Sequence, residues 1–257
     1  MKGVILAGGL GTRLLPFTHN TNKHLLPVWD KPMIHYPIES LLKSGIKDIM
    51  IVSNDQDAFR EACADEYSCK FQFAHQAGEG GIAAALSVAR DYVGDDNCCV
   101  MLGDNIYQFN ASVAVRSFKE WQEFGSCTQG ALIVTKAAAT AEDCTRFGCA
   151  VSQHQDIEEL IEKPSFDKVV ELTSEGHDVR IITGTYCYTP DVFDICANLT
   201  PSGRGELEIT DVNSEYLRRG CLEEFHTDGW WQDAGTFESL YQATTRVRKD
   251  GANHDDD

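Results

Sequence analysis

The sequence predicts an α/β protein built on a mostly parallel central sheet. Through the first half of the chain, short apolar runs alternate with helical patterns, and that strand–helix–strand order marks a parallel sheet covered by helices on both faces. The runs are continuously apolar and bounded by Gly and Asp, as strands buried on both faces are. A length of 257 residues with 42% apolar composition is enough to bury a large core. Together these observations describe a Rossmann-like sheet, in which ligands bind beyond the carboxyl ends of the strands.

Each element follows in order. A strand over residues 3–7 runs into a Gly-rich loop, and a helix over 34–44 leads to a strand over 48–53. A helix over 58–66, a strand over 70–74, a helix over 81–92 and a strand over 98–102 complete the regular half. The second half is mixed α and β, with strands expected at 130–134, 150–153, 159–162, 181–189 and 222–227 and helices at 190–198, 209–219 and 236–248. Residues 165–180 are polar and weakly patterned, and the acidic 251–257 segment reads as a frayed, solvated tail. One domain over residues 1–250 is expected, with a division near residue 130.

Composition excludes several partners. With 40 acidic and 22 basic residues the formal charge is −18, which repels a nucleic-acid backbone or an anionic membrane. A few Arg and Lys side chains plus a metal can still make one cleft positive, so small phosphorylated substrates fit. No apolar run approaches the ~20 residues of a membrane span, and residues 1–7 read as a strand and not as a targeting segment. A cytoplasmic protein is the expectation. The ten Cys residues show no Cys-x-x-Cys pair and no zinc-type spacing with His, and are expected to be reduced, buried and structural.

The first strand delivers Gly8-Gly9-Leu10-Gly11-Thr12-Arg13. Three glycines in four positions let backbone N–H groups converge on an anion, and Arg13 adds a planar cation, so the loop reads as a triphosphate cradle. No Gly-Lys-Ser/Thr follows, which excludes a Walker loop, and Leu14 stands where the third glycine of a dinucleotide fingerprint belongs. A nicotinamide-dependent oxidoreductase therefore rests on the strand–loop start alone. Ten residues beyond Arg13 comes Lys23-His24-Leu25-Leu26-Pro27, followed by Lys31-Pro32-Met33.

In combination, Leu-Ala-Gly-Gly-x-Gly-Thr-Arg-Leu, Lys-x-Leu-Leu-Pro and Lys-Pro-Met resemble the sugar-1-phosphate nucleotidyltransferases. The resemblance continues through Leu102-Gly103-Asp104-Asn105, Glu162-Lys163-Pro164, Gly205-Glu206-Leu207-Glu208-Ile209-Thr210-Asp211 and Trp231-Gln232-Asp233-Ala234-Gly235. It covers nearly the whole chain and is greatest to the branch that uses dTTP and glucose 1-phosphate, with UTP as the alternative nucleotide. It implies a nucleotide-binding part over about 1–130 and a sugar-phosphate-binding part over about 131–250. Homo-oligomeric assembly is also expected.

By this resemblance, Leu6, Gly8, Gly9, Gly11, Thr12 and Arg13 hold the nucleotide, and Lys23 reaches its phosphates. His24, placed with them among the nucleotide-binding residues, stands where the family usually has Gln. Gln76 and Gly81 would read the base: a Gln amide can both donate to and accept from a pyrimidine edge, and Gly81 lets that edge approach the backbone. Asp104 and Asp233 would form the Mg²⁺ pair, since carboxylates suit a hard cation that bridges substrate phosphates. On the sugar side the resemblance implies Asn105, Gly148, Glu162, Lys163, Ile182 and Gly184, with Trp231 as a pocket wall. Arg13, Lys23 and Lys163 would carry the catalytic charge. Phe147 stands where Tyr is usual, and Glu206 and Glu208 read as structural or interface groups. A non-catalytic homologue that keeps the pocket is the second reading, disfavoured by the retention of Arg13, Lys23, Asp104, Lys163 and Asp233. The chain ends earlier than longer members of the family, so a regulatory site built on their extension is not expected.

Overall fold

A computed structural model describes all residues except 64, 65, 79, 126, 155, 256 and 257. The first half contains β1 (Lys2–Ala7), β2 (Pro27–Val28), β3 (Lys31–Pro32), α1 (His35–Lys43), β4 (Asp48–Ser53), α2 (Gln56–Cys63), β5 (Lys70–His75), α3 (Ile82–Ser87), α4 (Arg90–Val93), β6 (Cys98–Leu102), β7 (Asn105–Tyr107) and α5 (Ser112–Phe124). The second half contains β8 (Ala131–Ala137), α6 (Ala141–Cys144), β9 (Gly148–Gln153), β10 (Asp156–Glu162), α7 (Phe166–Ser174), β11 (Asp178–Tyr188), α8 (Val192–Asn198), α9 (Ile209–Arg218), β12 (Leu222–His226), β13 (Trp231–Asp233) and α10 (Phe237–Asp250). A nine-stranded sheet runs β10-β9-β11-β6-β1-β4-β5, with β8 beside β11 and β12 beside β8.

Strands β6, β1, β4 and β5 are mutually parallel. Their side chains alternate between two cores, as the two-residue strand period requires. Ile5, Ala7, Ile49, Ile51, Cys99 and Met101 pack under α1, α2 and α5. Val4, Leu6, Met50, Val52, Cys98 and Val100 pack under α3, α4, α8 and α9. Burial on both faces explains the apolar middles of β1, β4 and β6, whereas β5, at the sheet edge, carries polar residues between its aromatic ones and is only partly covered.

Beyond β6 the sheet turns antiparallel. The long strand β11 pairs with β9 through Asp178–Ile181 and with β6 through Thr185–Tyr188, while β8 pairs with both stretches across an irregularity between Ile182 and Tyr186. The expected mixed second half thus grows onto the parallel half through a single strand.

Several findings differ from the sequence expectations. The 165–180 stretch contains α7, capped by Ser165, whose side chain accepts from Lys168 N, with Val169 and Leu172 buried; two buried positions three apart are too weak a stripe to stand out in a polar stretch. The helix expected over 81–92 is two pieces, α3 and α4, and α5, β7 and β13 are additional elements. Part of the helix expected over 58–66 and one position of the 76–83 loop fall outside the described residues. The 251–255 stretch is tied down: Asn253 is buried and its Nδ2 donates to Tyr36 O at 2.8 Å, and His254 N donates to Gln108 O at 2.7 Å. Residues 256 and 257 lie outside the description.

The expectation that every Cys is a free thiol is also corrected. Cys127 and Cys221 form a disulfide across 94 residues of sequence, with their Cα atoms 5.8 Å apart. Each lies just ahead of a strand, and the parallel pairing of Ala131 with Leu222 brings the two approaches together. That proximity is tertiary and leaves no spacing signal. The other eight are free thiols, all buried except the half-buried Cys69. Among the described residues, no helix is long and apolar enough to cross a membrane.

Candidate active site

Parallel strands end at one edge of the sheet, and the functional segments leave from that edge. Leu6 of β1 is level with Leu102 of β6, and Gly103 N donates to Leu6 O at 2.9 Å, so the Gly-rich loop and the Asp104 turn emerge side by side. Strand β5 reaches the same edge, where His75 pairs with Ser53 and Gln76 follows. From the antiparallel side, Gly148 at the start of β9 pairs with Glu162 at the end of β10, and Ile181 pairs with Cys149. A cleft of about 460 Å³ opens there.

Of the sequence-predicted residues, Leu6, Gly8, Gly9, Arg13, Lys23, His24, Gln76, Gly81, Asp104, Asn105, Gly148, Glu162, Lys163, Ile182, Gly184, Trp231 and Asp233 all line this cleft. Gly11 and Thr12 do not. They shape the turn behind it, where Thr18 Oγ1 donates to Gly11 O at 2.8 Å.

On the nucleotide side, the Gln76 carboxamide lies so close over Gly8 that a methyl group there would overlap its Oε1. Gly8 therefore seats the expected base reader as well as freeing the loop backbone. Gly81 has φ 88° and ψ 176°. Its backbone neighbours are bonded to the 202–208 turn, through Leu207 N to Gly80 O at 2.8 Å and Ala83 N to Leu207 O at 3.1 Å.

Lys23 Nζ lies 2.5 Å from Asp104 Oδ2, and Asn105 Nδ2 donates to Asp104 Oδ1 at 2.9 Å. Burial alone would raise the Asp104 carboxyl, but the Lys23 ammonium outweighs it and holds the group well below the usual carboxylate range. Asp104 in turn holds Lys23 protonated against its own burial. The ribbon formed by β7 and β13 sets Asp233 opposite Asn105, next to Asp104 in sequence. Burial and the Asp104 charge push the Asp233 carboxyl above its ordinary value, even though Gly235 N donates to its Oδ1 at 3.0 Å. Two carboxylates of unlike protonation tendency thus share the floor. Among the described residues, no group of three or more His, Cys, Asp and Glu side chains is arranged to hold a metal.

Burial and the neighbouring Lys23 charge depress His24 to about 3, so it is a neutral imidazole. Its backbone N and Nδ1 lie 3.0 and 2.7 Å from Asn22 Oδ1. It is a buried packing and hydrogen-bonding group at the back of the cleft.

On the sugar side, Glu162 Oε2 accepts from Thr210 Oγ1 at 2.5 Å and its Oε1 accepts from Arg204 Nη2 at 2.9 Å. Lys163 adopts φ 47°, its N–H donates to Phe147 O at 3.1 Å, and its Nζ is 3.5 Å from Glu162. A positive φ at a non-Gly residue is costly, and here it ends β10 while Lys163 lines the cleft. Trp231 Nε1 donates to Asn105 Oδ1 at 2.6 Å, and the Trp231 ring packs edge-on against Phe147 at 5.0 Å.

Sequence reasoning missed Arg146 and Thr210, which line the cleft, and Arg204, which pairs with both Glu162 and Glu208. Glu206 and Glu208, expected as structural or interface groups, also line it, and Glu208 Oε1 accepts from Ser202 Oγ at 2.7 Å and Arg204 Nη2 at 2.8 Å. Thr210 and the two Glu residues sit inside a motif already noticed. Arg204 and Arg146 are lone arginines in turns, for which no periodicity speaks.

Residues 2–250 match a family model described as nucleotidyl transferase. The chain is 37% identical over 253 residues to glucose-1-phosphate thymidylyltransferase of Xanthomonas campestris pv. campestris (strain B100), spanning 96% of this chain and 80% of that protein. It is 36% identical over 259 residues to the protein of the same name from Neisseria meningitidis serogroup A, spanning 96% and 83%. A Bacillus anthracis chain crystallised with sucrose superposes with a TM-score of 0.84 at 39% identity, covering 97% of this chain and 96% of that one. UDP-glucose pyrophosphorylase in complex with UDP-glucose superposes with a TM-score of 0.83 at 22% identity, covering 96% and 98%, a likeness of fold alone. The matched region runs from β1 into α10 and includes every segment that builds the cleft, and the chain belongs to the nucleotidyl transferase family.

Proposed function

We propose that the chain joins dTTP to glucose 1-phosphate, forming dTDP-glucose and pyrophosphate. The observation that carries this reading is that Arg13 and Lys23, from the parallel half, and Lys163, from the antiparallel half, line one cleft with Asp104 and Asp233. Two phosphorylated substrates repel each other, and cations supplied from both halves of the sheet offset that repulsion. The curated relatives named above carry the same activity in their names.

The chemistry needs no covalent enzyme intermediate. A phosphate oxygen of the sugar 1-phosphate attacks the α-phosphorus in line. The new P–O bond forms as the bond to the β-phosphate bridging oxygen breaks, and that oxygen leaves with its electron pair on pyrophosphate. The residues position and neutralise. Arg13 and Lys23 hold the triphosphate over the Gly8–Gly9 backbone. Gln76, seated on Gly8, pairs with the pyrimidine edge. Lys163 takes the sugar phosphate, and Glu162, Asn105 and the Gly148 and Gly184 backbone meet the sugar hydroxyls against the Trp231 wall.

Asp104 and Asp233 fit a divalent cation by chemistry. They supply only oxygen, and the Asp104 charge raises Asp233 despite Lys23 and Arg13 nearby, a repulsion that a hard cation relieves further. Mg²⁺ is the expected ion, and when bound it supplies charge neutralisation at the transferring phosphoryl group. Homo-oligomeric assembly belongs to the same reading, and light scattering measures it.

The test is pyrophosphate release across a matrix of nucleoside triphosphates and hexose 1-phosphates with Mg²⁺. dTTP with glucose 1-phosphate is expected to lead, with UTP a weaker alternative that is still accepted because Gln76 meets an edge common to both bases. An exclusive preference for ATP or GTP refutes the assignment.

A further inference from the structure

Arg146 has no place in the scheme above, yet it lines the cleft. It follows α6, a short helix that opens on a reciprocal Thr140–Asp143 cap, and its own N–H donates to Asp143 O at 3.3 Å. Its guanidinium lies over the Phe147 ring at 5.1 Å. Phe147 is itself held, by its edge-on contact with Trp231 at 5.0 Å and by the Lys163 N–H on its carbonyl at 3.1 Å. The guanidinium is therefore mounted on a turn that is hydrogen-bonded to Lys163. Its Nη2 sits 4.0 Å from Asp233 Oδ1, with the Arg146 side chain 42% exposed.

That pair is long and half-solvated, the kind that contributes little and exchanges easily. The carboxylate it faces is one of the two assigned above to a divalent cation. A guanidinium released from it keeps a planar fork of donors suited to a phosphate. The geometry points to Arg146 as a further phosphate-binding residue of the transfer step: it rests on Asp233 in the free protein and turns to the reacting phosphates when a divalent cation takes that carboxylate. The inference deepens the proposed function and rests on it.

Mn²⁺ binding to the full chain without nucleotide, read by electron paramagnetic resonance, and steady-state kcat are measured for wild type, Arg146→Gln and Arg146→Lys, with thermal melts to verify folding. Arg146→Gln removes a competitor for Asp233 and a phosphate ligand together. It should bind Mn²⁺ severalfold more tightly while kcat falls roughly ten- to a hundredfold, the loss of one charge-assisted hydrogen bond. Arg146→Lys should keep Mn²⁺ affinity near wild type and recover part of kcat. A merely structural arginine would not tighten the metal while slowing turnover. Unchanged or weaker Mn²⁺ binding in Arg146→Gln, or a kcat within twofold of wild type, overturns the inference. Absence of pyrophosphate release in the wild type would sink the functional reading itself, and that failure is separable because Mn²⁺ binding is read without turnover.

Discussion

Gly81→Ala tests whether the base loop and the sugar side are mechanically joined. At φ 88° and ψ 176° Gly81 occupies a region open essentially to glycine alone, so an L side chain there costs about 1–3 kcal/mol. Its Cβ would also stand 2.5 Å from Leu207 O and 2.9 Å from Leu207 N, both backbone atoms that cannot rotate away. Moving Leu207 aside strains the bonds it makes to Gly80 O and from Ala83 N, each a net ~1 kcal/mol. The combined cost is roughly 3–5 kcal/mol, and at ~2–4 °C per kcal/mol for a chain of this size the melting temperature should fall on the order of 10 °C. Because Leu207 lies between the cleft-lining Glu206 and Glu208, KM should rise for both dTTP and glucose 1-phosphate. Gly78→Ala is the control: it has a similar positive φ of 74° but nothing within 4 Å of the added methyl. Differential scanning calorimetry and pyrophosphate-release kinetics on the two variants separate strain from collision. If Gly81→Ala melts and binds like Gly78→Ala, the proposed coupling through Leu207 is wrong.

Gln76→Ala should weaken nucleotide binding and loosen base choice, and an unchanged ranking of the four triphosphates removes Gln76 as the reader. Lys163→Ala should raise KM for glucose 1-phosphate and lower kcat while leaving dTTP affinity near wild type; equal losses for both substrates contradict the assignment. Asp233→Asn should cost on the order of 10² or more in kcat, if metal stabilisation is worth several kcal/mol, with the fold retained. Asp104→Asn should be as damaging to kcat but should also lower the melting temperature, because Lys23 loses its 2.5 Å partner in a buried site. The double Asn variant should be far less impaired than the product of the single effects if one shared metal is at stake, and multiplicative losses measured at saturating Mg²⁺ refute the sharing.

The legible parts of this protein are those written in local pattern. Strands β1, β4 and β6 are apolar through their middles because both faces are buried, and Gly8, Asn54 and Gly103, which follow them, mark their ends. The motifs carrying Arg13, Lys23, Asp104, Glu162, Lys163 and Asp233 are contiguous, so their shared site could be expected before its geometry was known. What escaped was tertiary. Strands β7 and β13 are three residues each, too short to show a period, yet their pairing brings Asp233 beside Asp104. Cys127 and Cys221 meet only because β8 and β12 run parallel. Arg204 and Arg146 sit in turns, and their importance lies in which carboxylates they face.

Those facing carboxylates give the chain's acidity a second meaning beyond repelling polyanions. Among the described residues, Lys23 rests on Asp104, Lys163 on Glu162, Arg204 on Glu162 and Glu208, and Arg146 near Asp233. An array of bare cations in one cleft would repel itself and attract any anion; close carboxylates hold Lys23 and Arg204 in place and balance their charge locally, while Lys163 and Arg146 face theirs at longer range. A substrate must then offer more than negative charge. It has to present phosphates at the spacing that draws several cations off their partners together, and bring a cation for the carboxylates left behind. A nucleoside triphosphate with its divalent ion meets both conditions, whereas a simple anion meets neither, so an overall charge of −18 is compatible with a cleft for anionic substrates whose cations are paired with carboxylates.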